Sequence, residues 1–313
     1  MTTIDLSTPT PTPGSLLAAL PRRVALTLPE LQLVAARAGG APLPFDVTEP
    51  GDVPALENRL GVSRGTTEDR AYLTAVASLH DPAATLARRG LLVDDVLDEG
   101  VAGAVGLLAT PTYAVEIDVA VGDVQVKAWH RAAAGAVATL ATSDGIVFEL
   151  AWFPASAWPA ELDRVGVLPE DLSLRESRVP AYVDLPYELA DAAVEAAAGG
   201  RTDLLPVLTS QHEGAVRDAA GRTVPAAEVT GLLQALGAET QGRLRVLVAD
   251  VSREQTTVVG VRSWVLLADG WRTLHPHHDG STTRVRLATV DPADLAADLA
   301  PVLSDIVLPG IVS

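Results

Sequence analysis

One pattern occurs twice in this chain, and it constrains the fold more than any other feature. The first copy reads Val126-Lys127-Ala128-Trp129, an apolar run, Asp144-Gly145, a second run, then Pro159-Ala160-Glu161-Leu162 opening a helical pattern. The second reads Val261-Arg262-Ser263-Trp264, an apolar run, Asp279-Gly280, a second run, then Pro292-Ala293-Asp294-Leu295. Fifteen residues separate Trp from Asp in both. Two copies do not make a solenoid array. They point to two topologically similar halves, near residues 90–166 and 225–306. Each is an antiparallel meander closed by a helix, and the two are related by a pseudo-twofold axis. Their strands are expected to join in one antiparallel sheet or in two packed sheets.

Periodicity places the elements. Residues 26–38 read as a helix, with Thr27 as N-cap, Pro29 in the first turn and Gly39-Gly40 at the end. Further helices are expected at 66–79, capped by Thr67, and at 94–108. Gly100, Gly103 and Gly106 form one stripe of the latter, where a neighbour can approach closely. The period then changes to two over 114–121, 124–130, 136–141 and 146–152, giving four strands. A short helix follows at 156–165. The second half repeats this order: helices at 187–198, 202–209 and 225–236, strands at 244–251, 257–267, 271–276 and 282–288, and a last helix from Asp291 to about 306. The expected organisation is a disordered tail over 1–14, halves of one domain over 15–166 and 187–313, and a connector over 167–186.

Charge and composition narrow the function. A net charge of −17 repels phosphate backbones and anionic lipid heads, so nucleic-acid binding and membrane insertion are not expected. With no cysteine, thiolate metal sites, disulfides and thiol nucleophiles are excluded. Neither a signal peptide nor an apolar run of about 20 residues is visible, so the expected location is the cytoplasm. Lys127 is the sole lysine among many arginines, and alanine is abundant, the composition of a high-GC actinobacterial genome.

The candidates for chemistry are few. His275, His277, His278 and Asp279 form the one metal-like cluster, which would support a small metal-assisted hydrolase if the side chains converged. The competing reading is a polar approach to a Gly-containing turn, and no metal or cofactor is expected. Glu116 and Asp118 share the solvent face of an amphipathic strand. His80, His130 and His212 are isolated. No Gly-x-Ser-x-Gly elbow or phosphate loop occurs, so catalysis is not expected. Trp129 and Trp264, at matched positions, are expected in the cores of the two half-sheets. Trp158, after a Pro-containing bend, is expected to be partly exposed and a candidate interface anchor.

Leu26-Thr27-Leu28-Pro29-Glu30-Leu31, then Ala38-Gly39-Gly40 and Pro42-Leu43-Pro44, resemble the N-terminal signature of the EspG family. The resemblance continues through Leu107-Leu108, the Val-Lys-Ala-Trp strand, Asp144-Gly145 and Asp291-Pro292-Ala293-Asp294-Leu295, and covers nearly the whole chain after the tail. EspG proteins are cytosolic specificity chaperones of ESX, or type VII, secretion systems. The resemblance implies an α+β fold with a large twisted antiparallel sheet and two helical bundles, and a PE–PPE or PPE-like heterodimer as partner, held by its apolar helical tip. It implies a groove formed by a loop of the first half and by the C-terminal bundle with its neighbouring strand. The loop maps onto Arg131 to Gly135, making Arg131, Ala132, Ala133 and Gly135 candidate partner-binding residues. Arg131 and Arg262 are the candidates for charge on the rim.

Overall fold

In the computed structural model, which describes residues 22–45, 80–170, 172–253 and 255–304, the signals around Thr27 form a strand-to-helix junction. Strand β1 (Arg22–Thr27) runs directly into helix α1 (Leu28–Arg37). The Glu30 N–H donates to Thr27 Oγ1, and Glu30 Oε2 accepts from the Thr27 N–H at 2.8 Å, a reciprocal capping box. The same junction recurs where a connector was expected: β8 (Tyr182–Pro186) runs into α5 (Tyr187–Ala198). Leu28-Pro29-Glu30-Leu31 and Leu185-Pro186-Tyr187-Glu188-Leu189 are the shared local signal. Neither strand has a hairpin partner next to it in sequence, because β1 pairs with β7 and β8 with β12. Without that local pairing, both escape a reading by hairpin signals.

The other strands are β2 (Leu92–Val93), β3 (Val96–Leu97), β4 (Tyr113–Val121), β5 (Val124–Ala133), β6 (Ala136–Thr142), β7 (Val147–Pro154), β9 (Gly242–Asp250), β10 (Thr257–Leu267), β11 (Gly270–Asp279) and β12 (Thr282–Thr289). The remaining helices are α2 (Pro82–Arg88), α3 (Glu99–Ala109), α4 (Trp158–Asp163), α6 (Leu205–Gln211), α7 (Ala226–Glu239) and α8 (Leu295–Ser304). Ten strands form an antiparallel sheet in the order β1-β7-β6-β5-β4-β9-β10-β11-β12-β8. The fold class is α+β. The element order repeats as expected: α3, four strands, a 3-10 turn and α4, then α7, four strands, a 3-10 turn and α8. The tail over 1–14 and the helix expected at 66–79 lie outside the described residues.

The chain divides into two compact units. In the first, with described residues 22–45, 80–115, 127–157, 250–253 and 255–257, helices α1, α2 and α3 supply Leu31, Val34, Leu86, Val101 and Val105 to one core. The facing strands supply Leu26, Ala138, Leu140, Phe148, Leu150 and Trp152. Helix α3 begins five residues later than expected. Asp94 and Asp95 take left-handed conformations (φ 49° and 66°) and turn the chain into the β2–β3 hairpin. Asp98 then caps α3, accepting from the Gly100 and Val101 N–H groups. Of the glycine stripe, Gly100 meets a close neighbour: a Cβ there would lie 2.7 Å from the Trp152 ring, whereas Gly106 has nothing within 4 Å.

In the second unit, with described residues 116–126, 158–170, 172–249 and 258–304, α5, α6 and α7 pack on the apolar row of β8 and β12. Leu189, Leu205, Val229, Leu232 and Leu233 meet Val183, Leu185, Val285 and Leu287. The segment over 177–179 is pinned to the end of α7 by Glu239. That carboxylate accepts from Ser177 Oγ at 2.6 Å, from the Arg178 N–H and from Arg178 Nε at 3.1 Å.

The matched tryptophans occupy different environments. Each lies on the second strand of its meander, but Trp129 stands four residues before the last paired residue of its hairpin and Trp264 three. A one-residue offset turns a strand side chain to the other face. Trp129 accordingly packs against the core beneath the first unit's helices, 5.2 Å from the Phe45 ring. Trp264 is buried on the opposite face from the α5–α7 core, 6.2 Å from the Trp271 ring. The repeated Asp-Gly pairs also differ. Asp144 Oδ1 caps the β6–β7 turn through the Ile146 and Val147 N–H groups, whereas Asp279 ends β11.

Candidate functional site

Strand β10 changes character along its length. From Trp264 to Leu267 it is buried on both faces. Its first half is not: Val258, Val259 and Val261 are 55%, 40% and 38% exposed. Helix α8 grips the strand through the alternate row of Gly260, Arg262 and Trp264. A Cβ on Gly260 would meet Val302 at 2.5 Å, so glycine is what lets the helix approach. Trp264 Nε1 donates to Asp298 Oδ2 at 2.9 Å, and Arg262 Nε donates to the Asp298 carbonyl at 3.1 Å. Arg262 and Asp298 also form an ion pair at 3.3 Å. The outcome is a rigid strand-and-helix ledge that presents valines to solvent on both strand faces. Sequence reasoning did not single these valines out. Their signal was a β-branched run containing a glycine, which reads equally well as core.

The loop expected at Arg131 to Gly135 is shorter in the structure. Arg131, Ala132 and Ala133 belong to β5, and the turn itself is Ala134-Gly135, with φ of 49° and 79°. Arg131 is buried, and its Nη1 reaches the carbonyls of Val115 at 3.4 Å and His130 at 3.2 Å. Ala132 is buried too, while Ala133 and Gly135 are half-buried around the exposed Ala134. Trp158 opens α4 and is 2% exposed, so the expected partial exposure is not found. The short helix turns its ring inward together with Leu162, and α8 packs against α4.

His275 and His277 share one face of β11, and His278 takes the other. His277 Nε2 lies 3.2 Å from Asp184 Oδ1, and Arg284 Nε donates to the same oxygen at 3.1 Å. Among the described residues no three His, Asp or Glu side chains converge as metal ligands. Burial holds the His275 pKa below the ordinary value. The Arg262 charge adds to that effect, Asp298 opposes it, and Arg286 and His277 reinforce it. Glu116 and Asp118 are exposed on β4, alternating with buried Val115 and Ile117. His80 sits at the α1 cap, 3.4 Å from Thr27 Oγ1, and His212 follows α6. His130 is buried, and its pKa is lowered to about 3 by desolvation first, then by Arg131 and Arg23.

No described helix is long and apolar enough to cross a membrane. No protein-family model matches the chain, and no curated protein matches it. The fold is similar to that of the Mycobacterium tuberculosis type VII secretion system chaperone EspG5, solved in complex with a PE25–PPE41 dimer. The TM-score is 0.56 at 11% sequence identity, over 90% of this chain and 96% of that chain. At that identity the likeness is one of fold.

Proposed function

We propose that this chain is a cytosolic secretion chaperone of the type VII class. It binds the helical tip of a PE–PPE or PPE-like pair, keeps the pair soluble and directs it to its own secretion machine. The observation that carries this reading is the valine ledge of β10 beside α8, on a fold shared with a chaperone solved on a PE–PPE dimer. An apolar helical tip left in water aggregates, and a rigid strand edged by apolar side chains offers it a cover. The Ala134-Gly135 turn, with Ala133, supplies a second, smaller contact. Arg131 and Arg262 are tied into the fold and position the contact surfaces. Trp158 supports α4 from within.

The reading calls for neither catalysis nor a cofactor. The hydrolase alternative would need His275, His277 and His278 together, and strand alternation sends His278 away from the other two.

Co-expression with each PE–PPE-like pair of the same genome tests the proposal. One pair should be solubilised and co-purify at one-to-one stoichiometry. If no pair is solubilised or retained, the chaperone assignment fails.

A further inference from the structure

The polar face of the β11–β12–β8 ladder carries a guanidinium with no anionic partner among the described residues. The register sets His275 opposite Arg286 opposite Asp184, and His277 opposite Arg284 opposite Pro186. Residues two apart share a face, so His275, His277, Arg284, Arg286, Asp184 and Tyr182 lie together. Cross-strand position makes Asp184 the natural partner of Arg286. Instead its Oδ1 is engaged by Arg284 Nε at 3.1 Å and His277 Nε2 at 3.2 Å. Arg286 forms no hydrogen bond or ion pair among the described residues, and its Nε is buried without a partner. Its guanidinium lies over the Tyr182 ring, 5.8 Å from the centroid, which holds the side chain in place. A buried guanidinium N–H left unsatisfied is costly, and the planar fork of arginine matches a carboxylate.

We propose that Arg286, flanked by His275 and His277, binds a carboxylate of a protein partner. The net charge of −17 repels a polyanion at long range, which disfavours nucleic acid and anionic membrane. One or two carboxylates on an otherwise apolar segment meet the local positive charge with little of that repulsion. The proposal does not rest on the chaperone reading.

The groups facing the site determine its pH dependence. On β11 they are His275, His277 and, at the strand end, Asp279. On β12 and β8 they are Arg284, Arg286, Asp184 and Tyr182. Arg217 on the neighbouring segment pairs with Asp184 through backbone hydrogen bonds alone, while Arg262 and Asp298 are already paired on β10 and α8. A bound carboxylate favours the protonated form of His275, so binding tightens as pH falls through the titration of that ring.

Histidine ring NMR of the full chain at low salt tests this with an acetylated tetraglutamate amide, a tetraglutamine control and inorganic phosphate. About 10 mM peptide saturates even a millimolar site. The glutamate peptide should shift the His275 and His277 ring signals, raise the apparent pKa of His275 and leave His278 unmoved. Arg286→Gln should weaken the response about tenfold, the equivalent of one charge-assisted hydrogen bond. If that variant does not fold, the rise in His275 pKa in the unaltered protein decides. No shift with the glutamate peptide, an equal shift in folded Arg286→Gln, or a response to phosphate alone would each overturn the proposal.

Discussion

His130 links the stability of this protein to pH through one buried ring. Its ring is buried beside Arg131, and its pKa in the fold is lowered to about 3. The unfolded chain restores a value near 6.5, so unfolding takes up a proton below that pH. The contribution of His130 is therefore fully present above about 6.5 and falls by about 1.4 kcal/mol per unit as pH drops toward 3. Denaturant unfolding of the wild type should lose about 2 kcal/mol between pH 6.5 and 5 that a His130→Gln variant keeps. Equal slopes in the two proteins would refute this account. Gly100 offers a second test at this scale. Alanine there would drive its Cβ to 2.7 Å from the Trp152 ring and should cost about 1–3 kcal/mol despite the better helix propensity. Gly106→Ala, on the open side of the same helix, should stabilise by up to about 1 kcal/mol. Thermal unfolding of the pair separates packing from propensity.

Among the elements, α7 carries a carboxylate where its own dipole opposes one. Glu239 is the last residue of the helix, an unfavourable place for negative charge. Its hydrogen bonds to the 177–178 segment explain its presence there. Burial alone would raise its pKa, but the bonds from Ser177 and Arg178 outweigh burial and bring the value below the ordinary one. The clamp is thus complete above the usual glutamate pKa and weakens as pH falls through the lowered value. Glu239→Ala should cost about 2–3 kcal/mol and open 172–181 to hydrogen exchange before the rest of the unit. Protection unchanged in that segment would show the clamp to be dispensable.

At the scale of the whole molecule, the test is whether binding and folding come apart. Val258 and Val259 are exposed, so their replacement by Glu should leave the melting temperature nearly unchanged. The same change places charge where the proposed partner's apolar tip would rest, and should abolish co-purification of the cognate pair. Charge reversal at Arg131 or Arg262 is a poorer probe, because both side chains are built into the fold. Retention of the pair by the Val258→Glu, Val259→Glu double variant would remove the β10 ledge from the proposed interface.

The sequence by itself determined what local chemistry can determine. Alternation and hairpin turns located both four-strand meanders, and Thr27 with Glu30 announced the first helix start. The repeat of Trp, Asp-Gly and helix foretold the repeated element order. Only the tertiary structure decided the rest. Strands β1 and β8 exist because partners far along the chain, β7 and β12, complete their hydrogen bonds. Trp129 and Trp264, identical by spacing, parted company because their distances to the hairpin turns differ by one residue in a period of two. Trp158 went inside and the β10 valines stayed outside for the same kind of reason. Exposure is set by whether another element arrives, as α8 does at Gly260, and no residue announces that in advance.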